Sequence, residues 1–383
     1  MSDPYLTDEH EAVRSMVREF AQAEIEPHAE EWDRTHEFPL ETVQKMGELG
    51  LFGIPFPESV GGGGGDLTGL CVAIEEVARV DQSMAITLEA AVGLGANPIY
   101  RFGTEEQQQR WLPDLCAGTA LGGFGLTEPD AGSDAGGTRT RADVDDSTGE
   151  WVINGEKAFI TNSGTLITSH ITVTALTGPG EISAIIVPSG TPGLDVQPPY
   201  RKMGWHASDT HGLTLVDCRV PADHMLGERG RGFAQFLEIL DEGRVAIAAL
   251  AVGVIQRCVD DSVAYAGERE TFGRPIGSNQ GVAFRCADIH VALQAARRLV
   301  YDAAWRRDHG HPFTAEAATA KLFASEAAVD ATRSATQIFG GYGFMDETPV
   351  ARHYRDAKIL EIGEGTSEIQ RLVISRALGL GVS

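Results

Sequence analysis

Three long segments in the second half of the chain constrain the fold more than any other feature of the sequence. They span residues 233–268, 280–308 and 315–339, and each is rich in alanine, leucine, valine and isoleucine. Segments of this length and composition predict long, largely buried helices, and a further helix is predicted over about 367–378. The simplest arrangement that buries all four is an up-and-down helical bundle.

The first 119 residues carry a second set of helical patterns. Thr7 is a suitable N-cap for a helix whose apolar residues recur every three or four positions: Val13, Met16, Val17, Phe20, Ala21 and Ile25. Other helices are predicted over 39–50, 67–80 and 107–115. The run Gly61–Gly65 lacks the preceding strand and the following Gly-Lys-Ser/Thr of a phosphate loop, so it predicts a flexible connection.

Between about 120 and 228 the pattern changes to short β-strands separated by turn residues. Segments 151–153 and 158–161 flank Asn154-Gly155, which predicts a β-hairpin because both turn residues accept a positive φ. A second turn, Gly178-Pro179-Gly180, is flanked by further apolar runs, and a strand is predicted to end at Pro221.

The order of these patterns predicts an α+β protein of three domains. We expect an N-terminal all-α domain over 1–119 and a middle antiparallel β domain, barrel-like or sandwich-like, over 120–228. A C-terminal four-helix-bundle domain is expected over 229–383.

Charge and cysteine content limit the partners. Lysine and arginine total 31 against 55 aspartate and glutamate residues, which gives a net charge of −24 at pH 7. Such a surface repels nucleic-acid phosphates and anionic membranes. The five cysteines are widely spaced without a Cys-x-x-Cys pair, which argues against a disulfide framework and a zinc site. With no signal-peptide pattern and no apolar stretch long enough to span a membrane, the sequence predicts a cytoplasmic protein.

Three irregular segments hold the polar residues most suited to chemistry. They read FGLTEPDAGSD over 124–134, EKAFITN over 156–162 and RDAKILEIGEGTSEIQR over 355–371. Together they resemble the signature segments of the acyl-CoA dehydrogenases, and the resemblance extends from about residue 6 to 378. It implies FAD-dependent desaturation of a saturated acyl-CoA to a trans-2-enoyl-CoA, in which a glutamate removes the α proton and flavin N5 takes the β hydride.

Glu364 is the candidate catalytic base. It lies between Gly363 and Gly365, and its apolar neighbours would raise its pKa by desolvation. Considered alone, it could equally be a glutamate that precedes a helix starting at Thr366. The matching segments on both sides favour the catalytic role, and Gly243 occupies the position from which some relatives supply the base.

The resemblance also implies the residues that hold FAD. In this subunit they are Phe124, Leu126, Thr127, Phe159, Ile160, Thr161, Thr366 and Glu368. Those that complete a neighbouring subunit's FAD site are Arg269, Phe272, Gln280, Gln337 and Gly341. Phe159 and Ile160 could instead be strand core, and the glycines at 340–343 could end a helix. No Gly-x-Gly-x-x-Gly follows a strand, which disfavours a dinucleotide-binding fold.

For the substrate, the resemblance implies contacts from Ser133, Asp241, Arg244 and Gly365. Asp241 and Arg244 are three positions apart on one helix, so an intrahelical ion pair is equally compatible with them. A polar cluster over 206–211 lacks a third ligand at metal spacing, and no metal is expected. The resemblance places residues 85–92 beside the far end of the acyl pocket, and the segment 240–244 looks most like the short-chain and short branched-chain members. Because the residues over 85–92 are mostly apolar, this implies a pocket for saturated acyl groups of about four to eight carbons.

The resemblance further implies an electron-transferring flavoprotein as electron acceptor and a homotetramer built as a dimer of dimers. Two other functions remain open. One is an acyl-CoA oxidase or flavin monooxygenase of the same fold, which would use oxygen. The other is a catalytically silent helical scaffold or binding protein.

Overall fold

The computed structural model describes residues 4–381. The N-terminal part is helical, as predicted, with helices α1 Asp8–Phe20, α2 Ala29–Thr35, α3 Leu40–Glu48, α4 Leu67–Ala78, α5 Gln82–Glu89, α6 Asn97–Phe102 and α7 Glu105–Cys116. Thr7 is the N-cap of α1, and its hydroxyl accepts a hydrogen bond from the His10 amide. A π-helical turn, Ala90–Ala96, joins α5 to α6.

The glycine run at 61–65 is a closely packed turn, so the prediction of a flexible connection is wrong. The Gly63 amide donates to the Gly53 carbonyl at 2.8 Å, and the Gly64 amide donates to the Phe56 carbonyl at 2.8 Å. A methyl group built on Gly62 would lie 2.1 Å from the Phe56 carbonyl oxygen. The glycines are needed because the backbone segments pass too close for a side chain.

The middle part is a β domain with strands β1 Leu121–Gly125, β2 Arg141–Val144, β3 Trp151–Thr161, β4 Thr168–Gly178, β5 Glu181–Pro188, β6 Leu194–Val196, β7 Thr210–Val220 and β8 Met225–Leu226. The sheet order is β6-β7-β3-β2-β4-β5-β8, with β1 beside β4. The antiparallel prediction holds for most pairs, but β4 pairs in parallel with both β1 and β2.

The predicted hairpin at Asn154-Gly155 is wrong, because β3 runs through this dipeptide as one strand. The pairing of β3 with β7 shifts register between Ile153 and Gly155, which marks a bulge. The Asn154 side chain accepts a hydrogen bond from the Asp217 amide at 2.8 Å. A methyl group on Gly155 would lie 2.4 Å from the Thr140 hydroxyl. Asn154 and Gly155 are therefore residues that suit a tight turn, but in this fold they make contacts with neighbouring segments of the sheet.

The C-terminal part consists of α8 Gly232–Glu268, the short hairpin β9 Glu270–Thr271 and β10 Arg274–Pro275, α9 Gln280–Asp308, α10 Thr314–Phe339, α11 Pro349–Ala357 and α12 Ser367–Ala377. The four predicted helices are present, and α11 is an addition. A methyl group on Gly253 of α8 would lie 2.2 Å from the Glu75 carbonyl of α4, so these helices pack backbone to backbone. This close packing places α8, which is itself a bundle helix, against the N-terminal helix α4.

Within residues 4–381, no helix combines the length and the apolar character that crossing a bilayer demands.

Candidate active site

Glu364 lies in the turn that leads into α12. Its φ of 51° is in the left-handed region, which costs a non-glycine residue about 1–2 kcal/mol. Backbone held in this region often marks a functional site. The carboxyl extends towards α8, where a methyl group built on Gly243 would lie 2.3 Å from Glu364 Oε2. Gly243 therefore makes the space that the Glu364 carboxyl occupies.

The surroundings of the Glu364 carboxyl combine burial with nearby charge. The residue as a whole is half-buried, but both carboxyl oxygens are shielded from solvent. Burial raises the pKa of Glu364 above its ordinary value, while the neighbouring Glu89 carboxyl and the charges of Lys321 and Arg244 oppose the rise. The net effect makes Glu364 a stronger proton acceptor than an exposed glutamate.

Two side chains hold the turn around Glu364. Lys321 on α10 donates from Nζ to the Gly365 carbonyl at 2.7 Å, and Gln370 donates to the same oxygen at 2.8 Å. Lys321 is fully buried, and burial lowers its pKa to about 8. The Thr366 hydroxyl accepts from the Ile369 amide and caps α12, so the helix-start interpretation of this segment is also correct.

Asp241 and Arg244 form the intrahelical ion pair that the sequence left open. Arg244 Nη1 donates to Asp241 Oδ1, and Asp241 Oδ2 accepts from the Thr314 hydroxyl at 2.7 Å. Arg244 is only 5% exposed, and its Nε has no hydrogen-bond partner within residues 4–381. Its charge acts on the Glu364 carboxyl, so the pair borders the candidate base.

The two predicted flavin-binding segments are adjacent, because the Ala158 amide donates to the Thr127 carbonyl at 2.9 Å. Leu126 and Ile160 are buried, and the Phe124 ring stacks on Phe236 with centroids 3.9 Å apart. The buried side chain of Ile160 agrees with the strand-core alternative for that residue, and its role towards the flavin stays a prediction.

Phe159 differs from these neighbours because its side chain is 65% exposed, on a backbone with φ of 61°. The hydroxyls of Thr127 and Thr161 are half-buried and make no hydrogen bond within residues 4–381. An exposed aromatic face beside free hydroxyl donors suits a flavin ring with its polar edge.

The residues expected to reach a neighbouring subunit's FAD gather on one exposed surface. Arg269, Phe272, Gln280, Gln337 and Gly341 are all exposed. The Arg269 guanidinium lies 5.8 Å from the Tyr342 ring centroid. This contact joins the start of the β9–β10 hairpin to the turn after α10. Sequence reasoning therefore grouped two segments that the fold brings together.

The remaining predicted residues are exposed or paired elsewhere. Ser133 and Glu368 are exposed. His206 pairs with Asp33 at 2.9 Å and His211 with Asp209 at 2.7 Å. The polar cluster over 206–211 is therefore divided into separate pairs, and residues 4–381 contain no group of three or more histidine, cysteine or acidic side chains arranged to hold a metal.

Four residues that the sequence reasoning missed contribute to the site: Glu89, Glu128, Lys157 and Lys321. Glu128 and Lys157 lie within the selected segments at 124–134 and 156–162 without being singled out there, whereas the only signal for Glu89 and Lys321 was a charged residue in an otherwise apolar stretch. Their partners lie far away along the chain, so the pattern alone gave no reason to select them.

The buried Glu364 carboxyl and the exposed Phe159 ring are the arrangement expected of a flavoenzyme that acts on acyl thioesters. Three domain models of the acyl-CoA dehydrogenase family match this chain in order: the N-terminal domain over residues 7–119, the middle domain over 123–218 and the C-terminal domain over 230–379. The chain belongs to the acyl-CoA dehydrogenase family.

Individual relatives agree. A probable acyl-CoA dehydrogenase of Bacillus subtilis, YngJ, is 55% identical over 378 residues, which are 97% of this chain and 98% of that protein. Butyryl-CoA dehydrogenase from Megasphaera elsdenii, a solved structure, is 42% identical with a TM-score of 0.95 over 99% of this chain and 100% of that one. A chain in a structural study of the electron transferring flavoprotein of Acidaminococcus fermentans is 43% identical, with a TM-score of 0.95 over 98% of this chain and 99% of that one.

The protein is an FAD-dependent oxidoreductase that acts on acyl-CoA. The free hydroxyls and the exposed aromatic ring described above fit this cofactor.

Proposed function

We propose that the protein removes two hydrogens from a short saturated acyl-CoA, with Glu364 as the base, and releases a trans-2-enoyl-CoA. The observation that carries this proposal is the Glu364 carboxyl itself. It is shielded from solvent, its pKa is raised by burial, and a glycine at 243 leaves it room. A base of raised pKa is suited to removing a weakly acidic α proton.

The mechanism assigns separate tasks to the residues of this chain. Bound FAD supplies the acceptor for the β hydride. Glu364 takes the α proton onto its carboxylate. Lys321 and Gln370 hold the Gly365 carbonyl and so fix the turn that carries the base. The shielded position of the carboxyl excludes water from the proton transfer.

A cavity beside Gly243 is the candidate acyl pocket. Its apolar lining includes Phe56, Leu70, Val92 and Ala246. The polar end is closed by Glu242, which accepts hydrogen bonds from Asn97 at 3.1 Å and Arg307 at 2.9 Å. A pocket with this apolar lining suits an aliphatic tail, in keeping with the butyryl-CoA dehydrogenase relative.

We further propose that electrons leave to an electron-transferring flavoprotein and that the enzyme assembles as a dimer of dimers. The exposed Arg269 and Gly341 segments support assembly, since both resemble parts that complete a neighbour's FAD site. The Acidaminococcus relative comes from a study of such a flavoprotein, which supports this acceptor class.

Anaerobic mixing with butyryl-CoA tests the proposal. The flavin absorbance should bleach, and the product should be the trans-2-enoyl thioester by chromatography against a standard. Turnover that requires oxygen and yields hydrogen peroxide would assign the protein to the oxidases instead. Protein purified without flavin absorbance that also fails to bind added FAD would favour the silent scaffold.

A further inference from the structure

Glu89 is a buried carboxylic acid in a helix whose other residues are also buried. It is the last residue of α5, and its exposure is 0%. Neither of its carboxyl oxygens has a hydrogen-bond partner within residues 4–381. The π-helical turn Ala90–Ala96 follows directly, and such turns are frequent at functional sites. A carboxyl without partners at this depth requires a role, because burying one is costly.

Two glycines make room for this carboxyl beside the base. A methyl group built on Gly243 of α8 would lie 2.3 Å from Glu364 Oε2 and 3.7 Å from Glu89 Oε1. A methyl group built on Gly93 would lie 3.0 Å from Glu89 Oε1. Both carboxyls therefore border the same small space, which a side chain at position 243 would fill.

Charge decides which of the two carboxyls carries a proton. Two ionised carboxylates cannot share a dry space, so at least one is neutral near pH 7. Lys321 and Arg244 face Glu364 and favour its ionised form. Within residues 4–381, Glu364 is the one titratable group whose charge acts on Glu89, and burial followed by that charge raises the pKa of Glu89 well above its ordinary value. Glu89 is therefore the protonated partner.

We propose that Glu89 is a positioning residue for the base: its protonated carboxyl donates a hydrogen bond to the Glu364 carboxylate and keeps that carboxylate ionised in the free enzyme. The proposal rests on the assignment of Glu364 as the base. A hydrogen bond to the ionised form favours that form. Loss of the donor raises the pKa of Glu364, so a larger fraction of free enzyme carries a protonated, inactive base at a given acidic pH.

The pH dependence of kcat/KM tests this, because it reports ionisations of the free enzyme. In Glu89→Leu the acid limb of the profile should move to higher pH by about one unit. In the matched control Glu89→Gln the amide still donates to Glu364, so the acid limb should stay within about 0.3 unit of the parent. Glu89→Met, a second variant without a donor, should shift like the leucine variant and replaces it if that protein does not fold.

An unchanged acid limb in the variants without a donor would overturn the proposal, as would an equal shift in Glu89→Gln. Infrared spectroscopy gives a second readout that does not depend on turnover. At pH 7 the C=O stretching region of protonated carboxyls should lose one band in Glu89→Gln and keep that band in Glu364→Gln, while the band of Asp356, whose pKa is about 7, is identified by its loss in Asp356→Asn. If the band is lost only in Glu364→Gln, the proton is on Glu364 and not on Glu89, and the proposal is wrong.

The two proposals fail in different ways. If Glu364→Gln remains active, the assignment of the base is wrong. If Glu364→Gln is inactive while Glu89→Leu keeps the parent pH profile, the assignment of Glu364 as the base is supported and only the proposed role of Glu89 is wrong.

Discussion

Lys157 Nζ lies 2.8 Å from Glu128 Oε1 in an ion pair whose side chains are 0% and 6% exposed. Lys157 belongs to β3, and Glu128 lies in the loop after β1. The other contacts of the Glu128 carboxylate are to the Arg139 amide at 2.7 Å and the Thr140 amide at 3.1 Å. The pair therefore fixes the two segments that carry the candidate flavin residues relative to each other.

Replacing Lys157 with methionine should weaken FAD retention. The apolar side chain fits the buried site but leaves the Glu128 carboxylate without its charge partner, which for buried pairs costs about 3–5 kcal/mol. The loop carrying Thr127 then loses its anchor. FAD content after gel filtration and the melting temperature measure the effect, and Lys45→Met, at a lysine whose side chain is 48% exposed, is the control.

The double variant Lys157→Met/Glu128→Gln separates charge from packing. It removes the unpaired carboxylate, so it should recover part of the stability lost in Lys157→Met. Equal FAD retention in Lys157→Met, in the Lys45→Met control and in the parent would show that this pair does not anchor the flavin site.

Glu364→Gln should leave FAD bound and the fold intact while nearly abolishing dehydrogenation. The amide has the shape of the carboxyl but cannot accept the α proton. The loss of a base should slow the rate on the order of a hundredfold to ten-thousandfold or more. Stopped-flow flavin reduction by butyryl-CoA measures this, and reduction at the parental rate would exclude Glu364 as the base.

Helix positions were predictable from sequence because the buried face of a helix requires apolar residues every three or four positions. The segments predicted at 233–268, 280–308 and 315–339 match α8, α9 and α10 to within one residue at each end. The loops and the site were harder, because they depend on contacts between distant segments. Asn154-Gly155 favours a turn locally, but Asp217 and Thr140 hold it in a strand.

Glu364 could be selected from sequence because the segments on both sides of it resemble those of a known family, whereas its flanking glycines alone would equally have suited a residue before a helix. Glu89 could not, because its partner lies on a different element and nothing near it in the sequence marks the contact. Gly243 was informative only through the resemblance, and the structure gives the physical reason: any side chain there would collide with the Glu364 carboxyl.

Asp356 should make the protein less stable as pH rises through neutrality. Burial, aided by the charge of Asp81, raises the pKa of Asp356 to about 7. The folded state then binds a proton that the unfolded state has released, so this stability is full at acidic pH and disappears as pH rises past 7. Between pH 6 and pH 8 the loss is about 1 kcal/mol.

Asp356→Asn should remove that pH dependence. The asparagine oxygen can still accept the hydrogen bond from the Trp205 amide, which is 2.7 Å long in the parent. Urea unfolding at pH 6 and pH 8 should show a smaller difference in unfolding free energy for the variant than for the parent. The same difference in both proteins would mean that Asp356 is ionised throughout this range.

Arg269→Ala should weaken FAD retention if subunits complete each other's cofactor sites. Arg269 is exposed in the single chain and rests over Tyr342. A guanidinium that pairs with a diphosphate is worth roughly tenfold or more in affinity. The matched control is Arg34→Ala, at an arginine whose side chain is 68% exposed. FAD dissociation measured together with light scattering tests the link, and a monomer with stoichiometric FAD would refute it.

Acyl groups of about four to eight carbons should be preferred over longer ones. Residues Ala85, Ile86, Leu88, Ala91 and Val92, along α5 and the π-helical turn after it, are apolar and buried, and Val92 lines the cavity. The polar end of the cavity is lined by Glu242 with its partners Asn97 and Arg307, a set of charged and polar groups that a long apolar tail would have to pass. Arg307 is already paired with Glu242, so a terminal carboxylate buried here would lack a free partner, which costs roughly 1–3 kcal/mol or more.

Flavin reduction by butyryl-, isobutyryl-, octanoyl-, palmitoyl- and glutaryl-CoA decides the question. We expect butyryl- to octanoyl-CoA to be fastest and palmitoyl- and glutaryl-CoA to be poor. Val92→Phe, which narrows the cavity, should reduce kcat/KM for octanoyl-CoA more than for butyryl-CoA because the longer chain reaches further along the wall. Preference for palmitoyl-CoA would contradict a short pocket, and preference for glutaryl-CoA would contradict its apolar lining.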